Sequence, residues 1–390
     1  MAKDNSVSTP FWRDKRVIPI LLQLLFAFVV IIVVGFLINN ALNGLERLGI
    51  KFGFSFLENT ASFTIKEALI SFHPTDSYSR ALLVGILNTL KVSFFGIIFA
   101  TIIGVFVGIF RLSSNWLVSK IASVYTEIFR NTPLLVQMVI WYYAVFLPLP
   151  VIENGVKSGP FIFSNRGIAI PWLNGKEGSF FWLIAFIVAI IVGFIVWKWR
   201  LDKQIKTGKK MYPALSSLGV FLVILILSSL FTGGVPYQLS LPTINAKQFV
   251  GGYVVSPEFS AVLIALVIYT STYIAEVVRG GILGVPKGQV EAARALGLKG
   301  PTIMRTIVLP QAVRIIIPPV TSQYLNLIKN SSLAVVVAYP DVVNVGNTVM
   351  NNSGHYIEIV IIFMVVYLII NLITSVIMNI FNKKFQIVER

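Results

Sequence analysis

The chain has 390 residues, 56% of them hydrophobic and only 12% charged, with a mean hydropathy of +0.82. A water-soluble fold of this length could not hide that much apolar surface, so lipid is the solvent for much of it. With no cysteine and only His73 and His355 as histidines, disulfides, thiolate sites and histidine metal centres are argued against. The net charge of +16 lies in short basic blocks beside apolar runs, which is the pattern of a membrane protein rather than of a nucleic-acid surface.

An apolar run of about 20 residues crosses a bilayer as a helix. The first candidate, 17–38, follows the basic residues Lys3, Arg13, Lys15 and Arg16. It is longer than the core of a secretory signal and no small-residue cleavage pattern follows, so it reads as a retained helix. A polar outer segment, 39–80, comes next. Further spans are expected at 87–110, 133–146, 180–197, 214–231, 259–278, 315–339 and 356–380. The fold class is therefore an all-α membrane protein of about eight transmembrane helices. The third span is short unless it extends back through Ile128. The seventh is expected to break at Pro318-Pro319, where each ring removes a backbone donor.

Residues 150–256 form an insertion of two uncharged helices flanked by outer loops with turn signals at Gly159-Pro160, Asn174-Gly175 and Gly233-Gly234. Starting from a cytoplasmic N-terminus, 22 Lys and Arg residues fall inside and 8 outside, which places both termini in the cytoplasm.

The most informative segment lies between the sixth and seventh spans. Residues 287–296 read as a short helix, preceded by Pro286, rich in alanine and stopped by Gly297. A second helix is expected to begin after Gly300-Pro301 and end near Leu309-Pro310. Read from periodicity alone, this helix–turn–helix is equally an amphipathic interfacial element.

Glu291-Ala292-Ala293, three residues, Gly297, nine residues, Ile307, one residue and Leu309-Pro310 resemble the EAA loop of ABC importer permeases, with every anchor at the family spacing. The resemblance implies a coupling helix that docks on a separate ATP-binding subunit. Glu291 and Gly297 are then signature positions, Ala292 and Ala293 packing positions, and Leu309 and Pro310 the closing anchors. Tyr273 through Gly280, Leu87-Asn88-Thr89 and Glu127 through Gln137 resemble the polar amino-acid branch, and Lys329 through Leu333 do so more loosely. The matching residues, 81–149 and 257–384, imply a five-helix type I importer core.

On that reading 1–38 is the N-terminus with its helix and 39–80 the outer segment. The first core segment is 81–149, the insertion is 150–256, and the second core segment is 257–390 with the EAA coupling loop at 280–310. This enlarged form, with Phe11-Trp12-Arg13-Asp14 near its start, resembles the larger permeases of broad-range amino-acid importers. The implied partners are ABC ATPase subunits, a second permease that is related rather than identical, a periplasmic solute-binding protein, an amino-acid substrate and membrane lipid. The implied location is the bacterial inner membrane. ATP and Mg belong to the ATPase, because this chain has no Gly-x4-Gly-Lys-[Ser/Thr] loop. It also lacks a Gly-x-Ser-x-Gly elbow and a His-Glu-x-x-His helix, so no catalytic residue is assigned.

Charges inside the membrane cost about 2.5–3.5 kcal/mol each on insertion scales and need a reason. Glu276 and Arg279 share one helix face and can pair. If an amino acid is carried, Glu276 with Ser271 and Thr272 is a candidate acceptor for its ammonium. Lys329, Asn330 or a half-helix opened at Pro318-Pro319 are candidates for its carboxylate; Lys91 is a further candidate contact, and both lysines could instead neutralise buried partners. The plainer alternative is that Glu276 and Arg279 brace the inner end of their helix, with Glu127 and Arg130 bracing the third span. An ion-coupled secondary transporter is the alternative function; it would have no use for a docking loop.

Overall fold

In lipid each backbone N–H and C=O must be satisfied within its own segment, so the apolar runs close into helices. The computed structural model describes residues 17–47 and 52–385. The basic N-terminal block, Phe11 through Asp14 and the terminal Arg390 lie outside them. In chain order the helices begin with α1 (Val17–Arg47), α2 (Tyr78–Phe110), α3 (Trp116–Asn131) and α4 (Leu134–Val139), which continues as a wide π turn over Ile140–Phe146. Strands β1 (Val156–Ser158), β2 (Phe161–Ser164), β3 (Gly167–Ile170) and β4 (Trp172–Gly175) come next, then α5 (Ser179–Thr207) and α6 (Pro213–Phe231). Strands β5 (Tyr237–Ser240), β6 (Thr243–Asn245), β7 (Gln248–Val250) and β8 (Tyr253–Val255) follow, leading into α7 (Pro257–Leu283). The chain ends with α8 (Lys287–Ala295), α9 (Gly300–Ile303), α10 (Leu309–Asn330), α11 (Val342–Ser353) and α12 (Tyr356–Phe385).

Seven stretches among the described residues are long and apolar enough to cross a membrane, and Leu134–Phe146 is a shorter apolar helix. About eight spans result. The short one does not extend back through Ile128. Thr132, held extended by the proline that follows it, separates α3 from α4.

Two expectations about proline are corrected. The seventh span is not broken at Pro318-Pro319, because α10 runs through both. Adjacent prolines remove two neighbouring donors but fix φ near a helical value, and the hydrogen-bond ladder resumes beyond them. The span instead tightens to a 3-10 turn over Ser331–Val337 and ends at Ala338, whose φ is +56°. Nor does a helix end at Leu309-Pro310. A π turn over Met304–Val308 leads straight into α10, with the Leu309 N–H donating to the carbonyl of Met304. Widening the turn just before a residue with no N–H lets the chain continue where a regular ladder would lose a bond.

The contacts divide the chain into two units, residues 1–90 with 340–376, and 91–339 with 377–390. In the first, Phe56, Tyr78, Leu82, Val345, Val349 and Ile359 form the core. The polar segment 52–77 is pinned to the start of α12. Buried Glu358 accepts from Gly53 N–H and meets His355 Nδ1, each at 3.1 Å, and the Phe56 ring stacks on His355 at 4.2 Å. Asn88 donates to the carbonyls of Glu67 and Pro340, and Thr89 accepts from Val342 N–H. These two neighbouring polar residues of α2 therefore join backbone segments that lie far apart in the chain.

In the second unit, α2, α4, α7 and α10 share a core that includes Val92, Met138, Leu266, Ile274, Leu327 and Tyr339. Gly104 and Gly108 let α2 approach α7. A Cβ at Gly104 would lie 2.7 Å from Ile274, and one at Gly108 would lie 2.7 Å from the carbonyl of Ala275. This is the small-x-x-x-small contact that membrane helices use in place of a hydrophobic drive. Helices α5 and α6 form a hairpin, tied by Ser217 donating to the Gly193 carbonyl at 2.8 Å and by Trp182 donating to Ser229 at 3.0 Å. No side chain of α6 is buried. The segments on either side of this hairpin also carry short antiparallel strands: a sheet ordered β1-β2-β3-β8 and the pairs β4-β5 and β6-β7.

Asp341 supplies a pH test of the first unit. It is fully buried and caps α11 by accepting from Asn344 N–H at 2.8 Å, and burial pushes its carboxyl up to about 7. The unfolded group ionises near 3.8, so between about pH 4 and 7 the unfolded chain holds fewer protons and stability falls as pH rises. Asp341→Asn keeps the capping acceptor without the ionisation. Its melting temperature is expected to match wild type near pH 4.5 and exceed it near pH 7.5. Parallel profiles for the two proteins would refute this account.

Candidate functional site

The loop after α7 is built on its own small core, in which Val285, Ala293, Ile303, Val308 and Ala312 pack together. Pro286 caps α8 at its start. At its end the Leu298 N–H reaches the carbonyl of Ala293 at 3.2 Å, and Gly297 takes a φ of +73°. That is a Schellman ending, which needs a residue without a Cβ penalty at its left-handed position. The two alanines divide the work. Ala293 is buried in the loop core, while Glu291, Ala292 and Ala295 face outward beside Leu296, which is 80% exposed. Leu309 and Pro310 are also exposed, at the start of α10. The loop thus offers a small-sided outer face, in which Ala292, Ala295 and Leu296 lie beside the charged Glu291 and Arg294, backed by its own core.

Between α7 and α10 lies a cavity of about 270 Å³, lined by Tyr269, Thr270, Tyr273, Gln323, Asn326 and Asn330. The lining follows helical spacing on both sides: i, i+1, i+4 on α7 and i, i+3, i+7 on α10. The Tyr269 and Tyr273 hydroxyls are 3.0 Å apart. The three amides and the hydroxyls offer both donors and acceptors without formal charge. Of the residues named from sequence, Asn330 lies in this cavity. Gln323 and Asn326, which extend Asn330 into a stripe of amides, were not among them. The signal was three amides on one face of the least apolar of the spans among the described residues.

The other named residues are placed elsewhere. The Glu276 carboxylate is shared by three arginines. Arg111, just past α2, bonds Oε1; Arg279 Nε lies 3.1 Å from Oε2; and Arg130 from α3 lies 3.6 Å from Oε1. Ser271 faces α3, with its hydroxyl 2.7 Å from that of Tyr125, and Thr272 donates to the carbonyl of Tyr269. Lys91 reaches the Tyr253 hydroxyl at 3.1 Å and sits 4.3 Å from the centre of the Phe259 ring. Lys329 is exposed on α10. Gln137 donates to the carbonyls of Phe129 and Thr132, bridging the break between α3 and α4.

Because three guanidinium groups converge on one carboxylate, Glu276→Gln leaves them facing one another without a counter-charge. A loss of about 3 kcal/mol is expected from breaking a largely buried pair. It should appear as a clear drop in the melting temperature of the purified protein. Arg279→Gln removes one of three donors and is expected to cost less. Equal melting of Glu276→Gln and wild type would show that the cluster does not hold these helices together.

Residues 185–387 match the family described as binding-protein-dependent transport system inner membrane component. A putative amino-acid ABC transporter permease protein of Escherichia coli, YhdX, is 42% identical over 95% of this chain and 94% of its own length. The general L-amino acid transport system permease protein AapQ of Rhizobium johnstonii is 44% identical over 93% and 91% respectively. The glutamate/glutamine/aspartate/asparagine transport system permease protein BztB of Rhodobacter capsulatus is 35% identical over 97% and 96%. With such likeness along nearly its whole length, and with helices fit to cross a membrane, the chain belongs to the binding-protein-dependent transport system inner membrane component family and is a multi-pass permease of the ABC transporter type.

Proposed function

We propose that this permease carries amino acids inward by alternating access, powered by ATPase subunits that bind ATP and Mg and dock on the loop around Glu291, Ala292 and Gly297. The observation that carries this reading is the loop itself. It is a short helix with a solid inner face, a left-handed glycine at its end and an exposed outer face of alanines set among charged residues. A structure stiffened in that way can pass a push from a docked subunit into α7 and α10 rather than absorb it. The names of the similar permeases support an amino-acid substrate. The cavity between α7 and α10 suits a small zwitterion, since its amides and hydroxyls can meet both an ammonium and a carboxylate. A ligand there shifts the transport cycle only through different affinities for the two states.

The same reading includes a second, related permease, a periplasmic solute-binding protein that delivers substrate to the outer segments, and an inner-membrane location with both termini in the cytoplasm. On this reading Glu276 and Lys91 are braces, and Asn330 is the substrate contact.

The test is uptake driven by ATP in vesicles carrying the purified complex. Glu291→Lys and Gly297→Val are each expected to reduce uptake at least about tenfold while the protein still inserts. Gly297→Val also forces a branched side chain into a left-handed conformation, at about 1–2 kcal/mol. Uptake that ignores ATP and follows an ion gradient would replace this reading with a secondary transporter. Normal uptake and normal ATPase copurification in both variants would remove the loop from coupling.

Orientation is tested separately by reporter tags. Tags at Lys209 and after Arg390 are expected on the cytoplasmic side, and one at Gly155 outside. A tag at Lys209 found outside would reverse the α5–α6 hairpin.

A further inference from the structure

The cavity lining has a chemical shortfall. Its six residues are neutral, yet a free amino acid brings a carboxylate, and taking that charge out of water is costly unless a charged donor meets it. A guanidinium does stand against the cavity wall. Arg130 of α3 lies 5.5 Å from the centre of the Tyr273 ring, and Tyr273 is one of the lining residues. Among the three arginines around Glu276, Arg130 is the loosest and most exposed. Its contact is 3.6 Å against 3.1 Å for Arg279, and its side chain is 48% exposed against 36% for Arg279 and 14% for Arg111. If Arg130 turns away, Glu276 keeps Arg111 and Arg279, so no buried carboxylate is left unpaired. Arg130 is therefore the arm of the cluster that can leave it at low cost.

We propose that Arg130 exchanges Glu276 for the substrate carboxylate, which makes it a specificity-determining residue of the cavity. The exchange also gives occupancy a physical consequence, because it detaches α3 from the carboxylate that holds it to α7. A planar fork suits a carboxylate better than an ammonium, so arginine rather than lysine is the residue the task requires. The inference rests on the cavity being the substrate site.

The experiment uses the full chain, purified with the subunits that accompany it and without the solute receptor. Thermal stabilisation is titrated with L-glutamine and with its α-carboxamide, which lacks the carboxylate. Wild type is expected to prefer the acid by about tenfold or more in half-saturating concentration. Arg130→Gln is expected to bring that ratio close to one while leaving the response to the amide unchanged, with Arg130→Lys between them. Asn326→Leu, on the opposite wall, is expected to weaken both compounds. If Asn326→Leu weakens both but Arg130→Gln keeps the acid preference, the assignment of Arg130 is overturned and the cavity stands. If Asn326→Leu changes neither response, or neither compound stabilises wild type, the cavity is overturned as substrate site and the assignment of Arg130 falls with it.

Discussion

Glu276 is a single carboxylate on a membrane-spanning helix, and it is bonded by guanidinium groups from the end of α2, from α3 and from its own helix. A lone charge at such a place is expensive, and a lone pair only breaks even. Three guanidinium groups around two oxygens change that balance, because both oxygens are partnered, Oε1 by Arg111 and Arg130 and Oε2 by Arg279. The cluster also fixes geometry. One turn before it on α7 stands Tyr273 in the cavity wall, and within two turns after it the helix ends and the loop begins. Cavity, ion cluster and loop are thus strung along one rigid helix.

Close packing makes that helix rigid. Gly104 and Gly108 bring the backbone of α2 against Ile274 and Ala275, the two residues before Glu276. Lipid supplies no hydrophobic drive between helices, so contact at this distance, with its dispersion and polar bonds, is what holds them. The small residues of the loop do similar work outside the membrane, where Ala293 fills a niche among Val285, Ile303 and Val308. By contrast α6 buries no side chain and α5 buries only Ala189 and Gly193. The α5–α6 hairpin is tied within itself, by Ser217 to Gly193 and by Trp182 to Ser229.

Prolines show how the same residue has different consequences by position. Pro133 follows an extended Thr132 and separates two helices. Pro310 sits beyond a widened turn and lets the chain run on. Pro318 and Pro319 lie inside a helix that continues through both. A missing donor breaks a helix only where neighbouring turns cannot compensate, and compensation depends on packing that periodicity does not encode.

Much was legible in the sequence alone. Apolar runs near 20 residues, basic blocks between them and the spacing from Glu291 to Pro310 determined a membrane protein of about eight spans and the place of its loop, because hydropathy and local turn chemistry act within one segment. Gly297 is an example: its left-handed φ follows from the need to end an alanine-rich helix. Tertiary structure alone decided the rest. Sequence could name Glu276, Ser271 and Thr272 as polar residues on one helix, but not that Ser271 faces α3 or that Glu276 meets Arg111, 165 residues away. It could not join Tyr269, Thr270 and Tyr273 to Gln323, Asn326 and Asn330, because a cavity between two helices depends on the rotation and depth of both. Those are set by the residues packed behind them, here the glycines of α2 and the core around Leu266, Ile274 and Leu327.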